Sequence, residues 1–363
     1  MADTQEILFG CAGAVATITL NRPQALNAFT LGMYRALAPM LRCWQDDPEV
    51  HAILIRGAGQ RAFCAGGDVR AIYEAGRGIS GDRELTAIFF REEYEIIRHI
   101  HRFPKPYLAI VDGITMGGGA GVSVNGGYRI ATERTLLAMP ETGIGLFPDV
   151  GATRFLNLCP GHIGRYLGLI GVRLGPADVL YCGFATHFVP RERLPALVGE
   201  LGRIVWRAGA EREQVEDLLA RFHADPGAPP IASRRAAIDR CFAGETIEAV
   251  LGALEAEAAA GAPDSEWAAE TRAGLLTKSP TSLKITLRQL LAGADYDIEG
   301  ALALEYRLTQ HVMAGHDFYE GVRAVVVDKD QKPRWRPATL AEATEPMIDA
   351  YFTTIGEREL RFG

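Results

Sequence analysis

The 363-residue chain lacks the cysteine spacing of a zinc site or a disulfide framework: Cys11, Cys43, Cys64, Cys159, Cys182 and Cys241 include no C-x-x-C pair and no cluster. They read as reduced, mostly buried thiols. It also lacks excess positive charge, with 38 Lys and Arg against 45 Asp and Glu for a formal net charge of −7. That balance speaks against general binding to nucleic acid or an anionic membrane and leaves a small molecule as the expected partner. The stretch nearest to a membrane span, 107–124, is interrupted by Asp112 and by glycines, so a buried strand and turn are expected there. The N-terminus carries Asp3 and Glu6 and no basic start followed by an apolar run. Neither a secretory signal nor an Arg-rich transit peptide is expected, and the location read from these features is cytoplasmic.

What the chain does have is an alternation of strands, glycine turns and helices over its first half. Residues 7–20 read as a strand or hairpin stopped by Asn21-Arg22-Pro23, 30–44 as an amphipathic helix, and 50–57 as a buried strand. Ala62-Phe63-Cys64-Ala65-Gly66-Gly67-Asp68 then opens a helix at Val69. Over 88–100 the spacing predicts a helix with Ile88, Phe89, Ile96, Ile97 and Ile100 on one face; Glu93 falls near the centre of that arc and Glu92 toward its edge. A carboxylate so placed is not a simple solvated charge. A buried strand at 106–111 leads to Gly117-Gly118-Gly119-Ala120-Gly121 and a helix start, and short strands at 128–131 and 136–139 lead to Glu141. From 194 the pattern turns helical (194–208, 212–222, 231–242, 246–258, 265–276, 279–291 and 297–312), with Ser279-Pro280 as a helix start. We therefore read regions 1–195 and 196–363, as parts of one fold or as separate domains.

Consecutive glycines between a strand and a helix let the backbone approach a ligand, and the unpaired N–H groups of the helix start favour negative charge. A glycine run alone is more often a tight turn with close helix packing. This run has neither G-x-G-x-x-G spacing nor a following Gly-Lys-Ser/Thr, so it is not a dinucleotide or phosphate loop of the usual kind. The second junction, Gly66-Gly67-Asp68, changes the balance, because two such junctions can each supply one N–H to a single oxyanion.

Asn21-Arg22-Pro23 with Leu26-Asn27-Ala28, the 62–68 segment, Gly117-Gly118-Gly119 and Pro140-Glu141 resemble, in order, the signatures of the enoyl-CoA hydratase/isomerase (crotonase) superfamily. The resemblance implies an α/β fold, a spiral of strand-strand-helix turns with a long C-terminal helical extension. It implies an acyl-CoA substrate whose thioester oxygen is held by the backbone N–H groups of Gly67 and Gly118, with Gly66 and Gly117 beside them and CoA running past 62–66. No metal or redox cofactor is implied. Homo-oligomerisation stays open, since the extension can mediate assembly or fold over its own subunit.

A hydratase of this family uses two glutamates on one water, and this chain has Gly121 where the first would stand. Phe90-Arg91-Glu92-Glu93-Tyr94, Gly145-Leu146-Phe147-Pro148-Asp149-Val150-Gly151, Ser279-Pro280-Thr281-Ser282-Leu283-Lys284 and 317–324 instead resemble the 3-hydroxyisobutyryl-CoA hydrolase branch. That likeness implies thioester hydrolysis, with Glu141 as nucleophile or as base for water, Asp149 at the substrate hydroxyl and in proton transfer, and Glu93 completing the polar end of the pocket. Without the likeness, Glu141 would read as a helix-start charge, Asp149 as a turn residue and Glu93 as an arginine's partner. The rival readings are an enoyl-CoA hydratase or isomerase in which Glu141 works alone, and a catalytically silent acyl-CoA binding protein. His99 and His101, two apart on a helix, do not face each other and read as structural, and Cys64 reads as packing. The basic run Lys329, Lys332, Arg334 and Arg336 with Trp335 reads as a CoA phosphate contact or a solvated tail.

Overall fold

The computed structural model describes residues 5–81 and 84–363; Asp3, used above to read the N-terminus, lies outside the described residues. Among the described residues nine strands run in chain order as β1 (Ile7–Ala12), β2 (Val15–Leu20), β3 (Ala52–Gly57), β4 (Ala62–Cys64), β5 (Tyr107–Val111), β6 (Ile114–Met116), β7 (Tyr128–Ala131), β8 (Leu136–Ala138) and β9 (His187–Phe188). Two sheets result, one ordered β1-β2-β3-β5-β7-β9 and one ordered β4-β6-β8. The large sheet is parallel except for the β1–β2 hairpin, with Ile53 opposite Tyr107 and Leu108 opposite Tyr128. Each turn of the chain therefore lays one strand in the large sheet and the next in the small one. A helix start follows: α2 (Val69–Gly76) after β4, α4 (Gly118–Val124) after β6, and the single 3-10 turn Glu141–Ile144 after β8. This is the strand-strand-helix spiral expected above.

Two compact units divide the chain, each assembled from three segments: 1–67, 95–137 and 173–229 in the first, and 68–94, 138–172 and 230–363 in the second. The boundary read near 195 thus falls inside the first unit. The change to helical sequence there marks a change of local structure only. Helices Leu194–Leu201 and Glu211–Phe222 lay Leu197, Leu201, Val215, Leu218, Leu219 and Phe222 against Val15, Ala52, Leu54, Leu108, Ile110 and Ile130 of the sheet in one core.

Local chemistry explains the element starts. α1 (Leu31–Asp46) begins at Thr30, whose hydroxyl accepts from Met33 N at 3.2 Å, and α2 begins at Asp68, which accepts from Ala71 N at 3.2 Å. Ser279 caps the Pro280–Ala292 helix as read, its Oγ accepting from Ser282 N at 3.1 Å and donating to Asp317 at 2.6 Å. The segment read as one helix over 231–242 is two, Pro230–Ser233 and Arg235–Cys241.

In the second unit the helical extension packs on its own chain. A methyl added to Gly145 (φ +72°) would lie 2.1 Å from Asp317 O, and one added to Gly321 would lie 2.3 Å from Ile144 C. The basic run is not a loose tail: Trp335 Nε1 donates to Thr277 O at 3.0 Å, and Arg336 N donates to the buried Asp317 at 2.8 Å. Among the described residues no helix is long and apolar enough to cross a membrane. All six cysteines are free, four of them buried and Cys11 and Cys43 exposed.

Candidate active site

The first unit holds the glycine junctions. Asn27, fully buried in a left-handed conformation (φ +59°), accepts from Arg22 N at 3.0 Å and donates to Ala58 O and Ala62 O, both at 2.9 Å. Ala65 N donates to Leu26 O at 3.0 Å and Phe29 N to Gly66 O at 2.8 Å, so the 21–29 loop fixes the turn after β4. Because Phe29 pairs with Gly67 in a parallel bridge through the Gly66 carbonyl, the Gly67 N–H is turned away from that partner.

β4 and β6 pair in parallel, Ala62 opposite Ile114 and Cys64 opposite Thr115. This brings the two junctions side by side: a methyl on Gly66 (φ +110°) would lie 3.6 Å from Gly118 N and 3.2 Å from Met116 O. Gly117 turns at φ +46° into α4, and Gly118, as its first residue, has an N–H without a partner inside the helix. Gly66, Gly67, Gly117 and Gly118 thus lie close together. Gly121 is buried within α4, its N–H and carbonyl engaged by Gly117 O and by Asn125 Nδ2 at 2.8 Å.

The second unit holds the acids. Glu93, Glu141, Asp149 and Glu305 are 2%, 5%, 4% and 0% exposed, so none is a solvated surface charge. Glu93 lies at the middle of α3 (Leu85–His101), next to the fully buried Tyr94, whose hydroxyl donates to Asp149 Oδ2 at 2.6 Å. Glu141 opens its 3-10 turn, and its Oε2 is buried with no hydrogen-bond partner among the described residues. Burial pushes the Glu141 carboxyl well above the usual range, and the charges of Asp149 and Glu93 push the same way. Asp149 is raised to about 6 by burial, against the Tyr94 hydrogen bond that favours its ionised form. Tyr94 is itself held well above its ordinary pKa, first by burial and then by the Asp149, Glu305 and Glu93 charges.

Glu305, on the Ile298–Ala314 helix, was not singled out in the sequence. It accepts from Gly151 N at 2.7 Å, from Thr153 N at 2.8 Å and from Thr153 Oγ1 at 2.7 Å. Burial, and then Asp149, raise it to about 8. A signal was present, since Ala301, Leu302, Leu308 and Thr309, three and four positions away, are all buried. Tyr94 stood in a quoted motif without a role, because its partner lies 55 residues away. His99 hydrogen-bonds Gln45 at 2.8 Å, and among the described residues no group of three or more His, Cys, Asp or Glu could hold a metal ion.

Chemically, the first unit offers paired backbone junctions suited to an oxyanion, and the second a carboxyl with an open oxygen beside a tyrosine-bound aspartate. The enoyl-CoA hydratase/isomerase model matches residues 15–352. The mitochondrial 3-hydroxyisobutyryl-CoA hydrolase of Xenopus laevis is 48% identical over 97% of this chain and 89% of its own length. The human protein of that name is 43% identical, over 99% and 91%. A carnitinyl-CoA dehydratase from Mycobacterium thermoresistibile superposes with a TM-score of 0.88 at 39% identity, covering 99% of both chains. An enoyl-CoA hydratase from Rhodobacter sphaeroides 2.4.1 gives 0.88 at 38%, over 99% and 100%. On the family model and on these near full-length relatives, the chain belongs to the enoyl-CoA hydratase/isomerase family.

Proposed function

We propose that the protein hydrolyses the thioester of 3-hydroxyisobutyryl-CoA and similar short 3-hydroxyacyl-CoA compounds, releasing the hydroxy acid and CoA, as in valine breakdown. The observation that carries the reading is the buried, unpartnered Oε2 of Glu141 in a chain whose other hydratase position is Gly121. One open carboxylate suffices for attack on a thioester, whereas glycine at 121 can neither orient water nor move a proton.

In this reading Gly67 and Gly118 donate their N–H groups to the carbonyl oxygen as it becomes an oxyanion, with Gly66 and Gly117 giving the backbone its close approach. Glu141 either attacks the carbonyl carbon, expelling CoA thiolate and leaving an anhydride for water to open, or takes a proton from the attacking water. Asp149, oriented by Tyr94, binds the 3-hydroxyl and returns a proton to the leaving thiolate, and Glu93 closes the polar end. No metal or redox group enters these steps.

Incubation with 3-hydroxyisobutyryl-CoA and separately with crotonyl-CoA, following free thiol and enoyl absorbance, tests the assignment. Thiol release with the first substrate alone is expected. Rapid crotonyl hydration without thiol release would overturn it in favour of an enoyl-CoA hydratase, and binding without reaction would favour a silent acyl-CoA binder. Label in the Glu141 carboxylate after turnover in ¹⁸O-water identifies the anhydride route with water attacking the glutamyl carbonyl, and hydroxylamine trapping of a Glu141 hydroxamate detects the anhydride whichever carbonyl water opens. Light scattering distinguishes a homo-oligomer assembled through the extension from a monomer that the extension covers. On location, cytoplasmic is the reading of the sequence, and the mitochondrial relatives are the competing case; fractionation of the native cell separates them.

A further inference from the structure

Asp149 sits in a turn that the backbone resists. Val150, immediately after it, has φ +60° and Gly151 has φ +88°. The left-handed region is open to glycine but strained for a β-branched residue, and such strain persists only where the surroundings impose it. Both flanks of the turn are clamped from helices of the same unit. Gln289, fully buried, donates Nε2 to Pro148 O and to Thr153 Oγ1, each at 2.7 Å. Glu305 takes the N–H groups of Gly151 and Thr153 and the Thr153 hydroxyl. Thr153 Oγ1 links the two, accepting from the amide and donating to the carboxylate. Packing alone does not call for this arrangement, because an apolar residue at 305 would fill the same helix face without burying a carboxyl.

We propose that Glu305, supported by Gln289, is a positioning residue for the hydrolysis: it holds the left-handed Val150–Gly151 turn that aims Asp149 at Tyr94 and the substrate hydroxyl. The proposal rests on the reading of Asp149 given above, and Glu305 acts on the substrate only through it. Asp149 in turn faces the Glu305 carboxyl, Tyr94 on α3 and Glu141 on the 3-10 turn.

Steady-state hydrolysis of 3-hydroxyisobutyryl-CoA over pH 5 to 9 by the full chain tests it. Glu305→Gln, which puts an amide N–H where Gly151 or Thr153 needs an acceptor, should lower kcat about 100-fold, as a displacement of about 1 Å at a catalytic group does. KM should change little, and the acid limb of kcat should move to higher pH as Asp149 loses the Tyr94 hydrogen bond that favours its ionised form. Adding Val150→Gly to that variant should restore much of kcat, because glycine takes the left-handed turn unaided. If Glu305→Gln fails to fold, Thr153→Val, which removes only the bridging hydroxyl, should lower kcat in the same direction. Leu254→Ala, a buried site on the Ile247–Ala259 helix, controls for lost stability and should leave kcat per folded molecule and the pH limb unchanged. An inactive Asp149→Asn beside a Glu305→Gln variant with wild-type kcat and pH limb would overturn the clamp. So would a kcat loss that Val150→Gly does not relieve. Full activity in Asp149→Asn would remove the reading of Asp149, and the clamp with it.

Discussion

Glu141 and Asp149 make separable predictions. Glu141→Gln keeps the volume of the side chain but removes its charge and basicity, so turnover should fall by about 10²- to 10⁴-fold while acyl-CoA binding, read by calorimetry, is retained. For Asp149 the sign of the pH dependence follows from its displacement from 3.8 to about 6. A carboxyl raised in the fold contributes stability that is complete below its unfolded value and lost as pH rises through the folded one, here on the order of 3 kcal/mol. Asp149→Asn should therefore be more stable than the parent at pH 7.5, with the gain fading toward pH 4, as checked by denaturant midpoints. At this scale the sequence was readable where chemistry and local period coincide. Glu93 stood out because it interrupts an apolar helical arc, and Glu141 because a glycine replaces its usual companion. Glu305 interrupts an arc in the same way, yet what it grips, Gly151 and Thr153, lies over 150 positions upstream, and no local pattern connects them.

Among the elements, α4 has a composition that propensity disfavours, since a helix-interior glycine is worse than alanine by about 1 kcal/mol and Gly118, Gly119 and Gly121 all lie within it. The reason is proximity: a methyl on Gly119 would sit 2.4 Å from Cys64 O and 2.8 Å from Cys64 Cβ. Gly119→Ala should thus lower stability by about 1–3 kcal/mol and spread the β4 and α4 junctions. Thermal melting together with a fall in kcat larger than the fall in folded fraction would show both effects. Most strands and long helices were legible from their periods. The short helices Ala152–Phe155, Ile163–Ile170 and Pro176–Tyr181 were not, because one or two turns give too few repeats to establish a face.

For the molecule as a whole, the change to helical sequence near 195 suggested a cut that compactness does not follow. A fragment 1–195 would uncover the sheet face that Leu197, Leu201, Val215, Leu218, Leu219 and Phe222 cover. At about 1.5–3 kcal/mol for each buried side chain, the loss is comparable with the entire stability of a domain. The fragment should be aggregated or molten, with dispersed amide resonances absent from its NMR spectrum, whereas 1–363 should fold. Interleaving also sets an order of events during synthesis. The strands of the large sheet leave the ribosome well before the residues up to Phe222 that shelter them, and the second unit is complete only near the C-terminus. At about 5–20 residues per second the earliest strands wait on the order of ten seconds or more with apolar surface uncovered. Translation speed and chaperone supply, as much as the final contacts, therefore govern how much active protein a cell obtains from this chain.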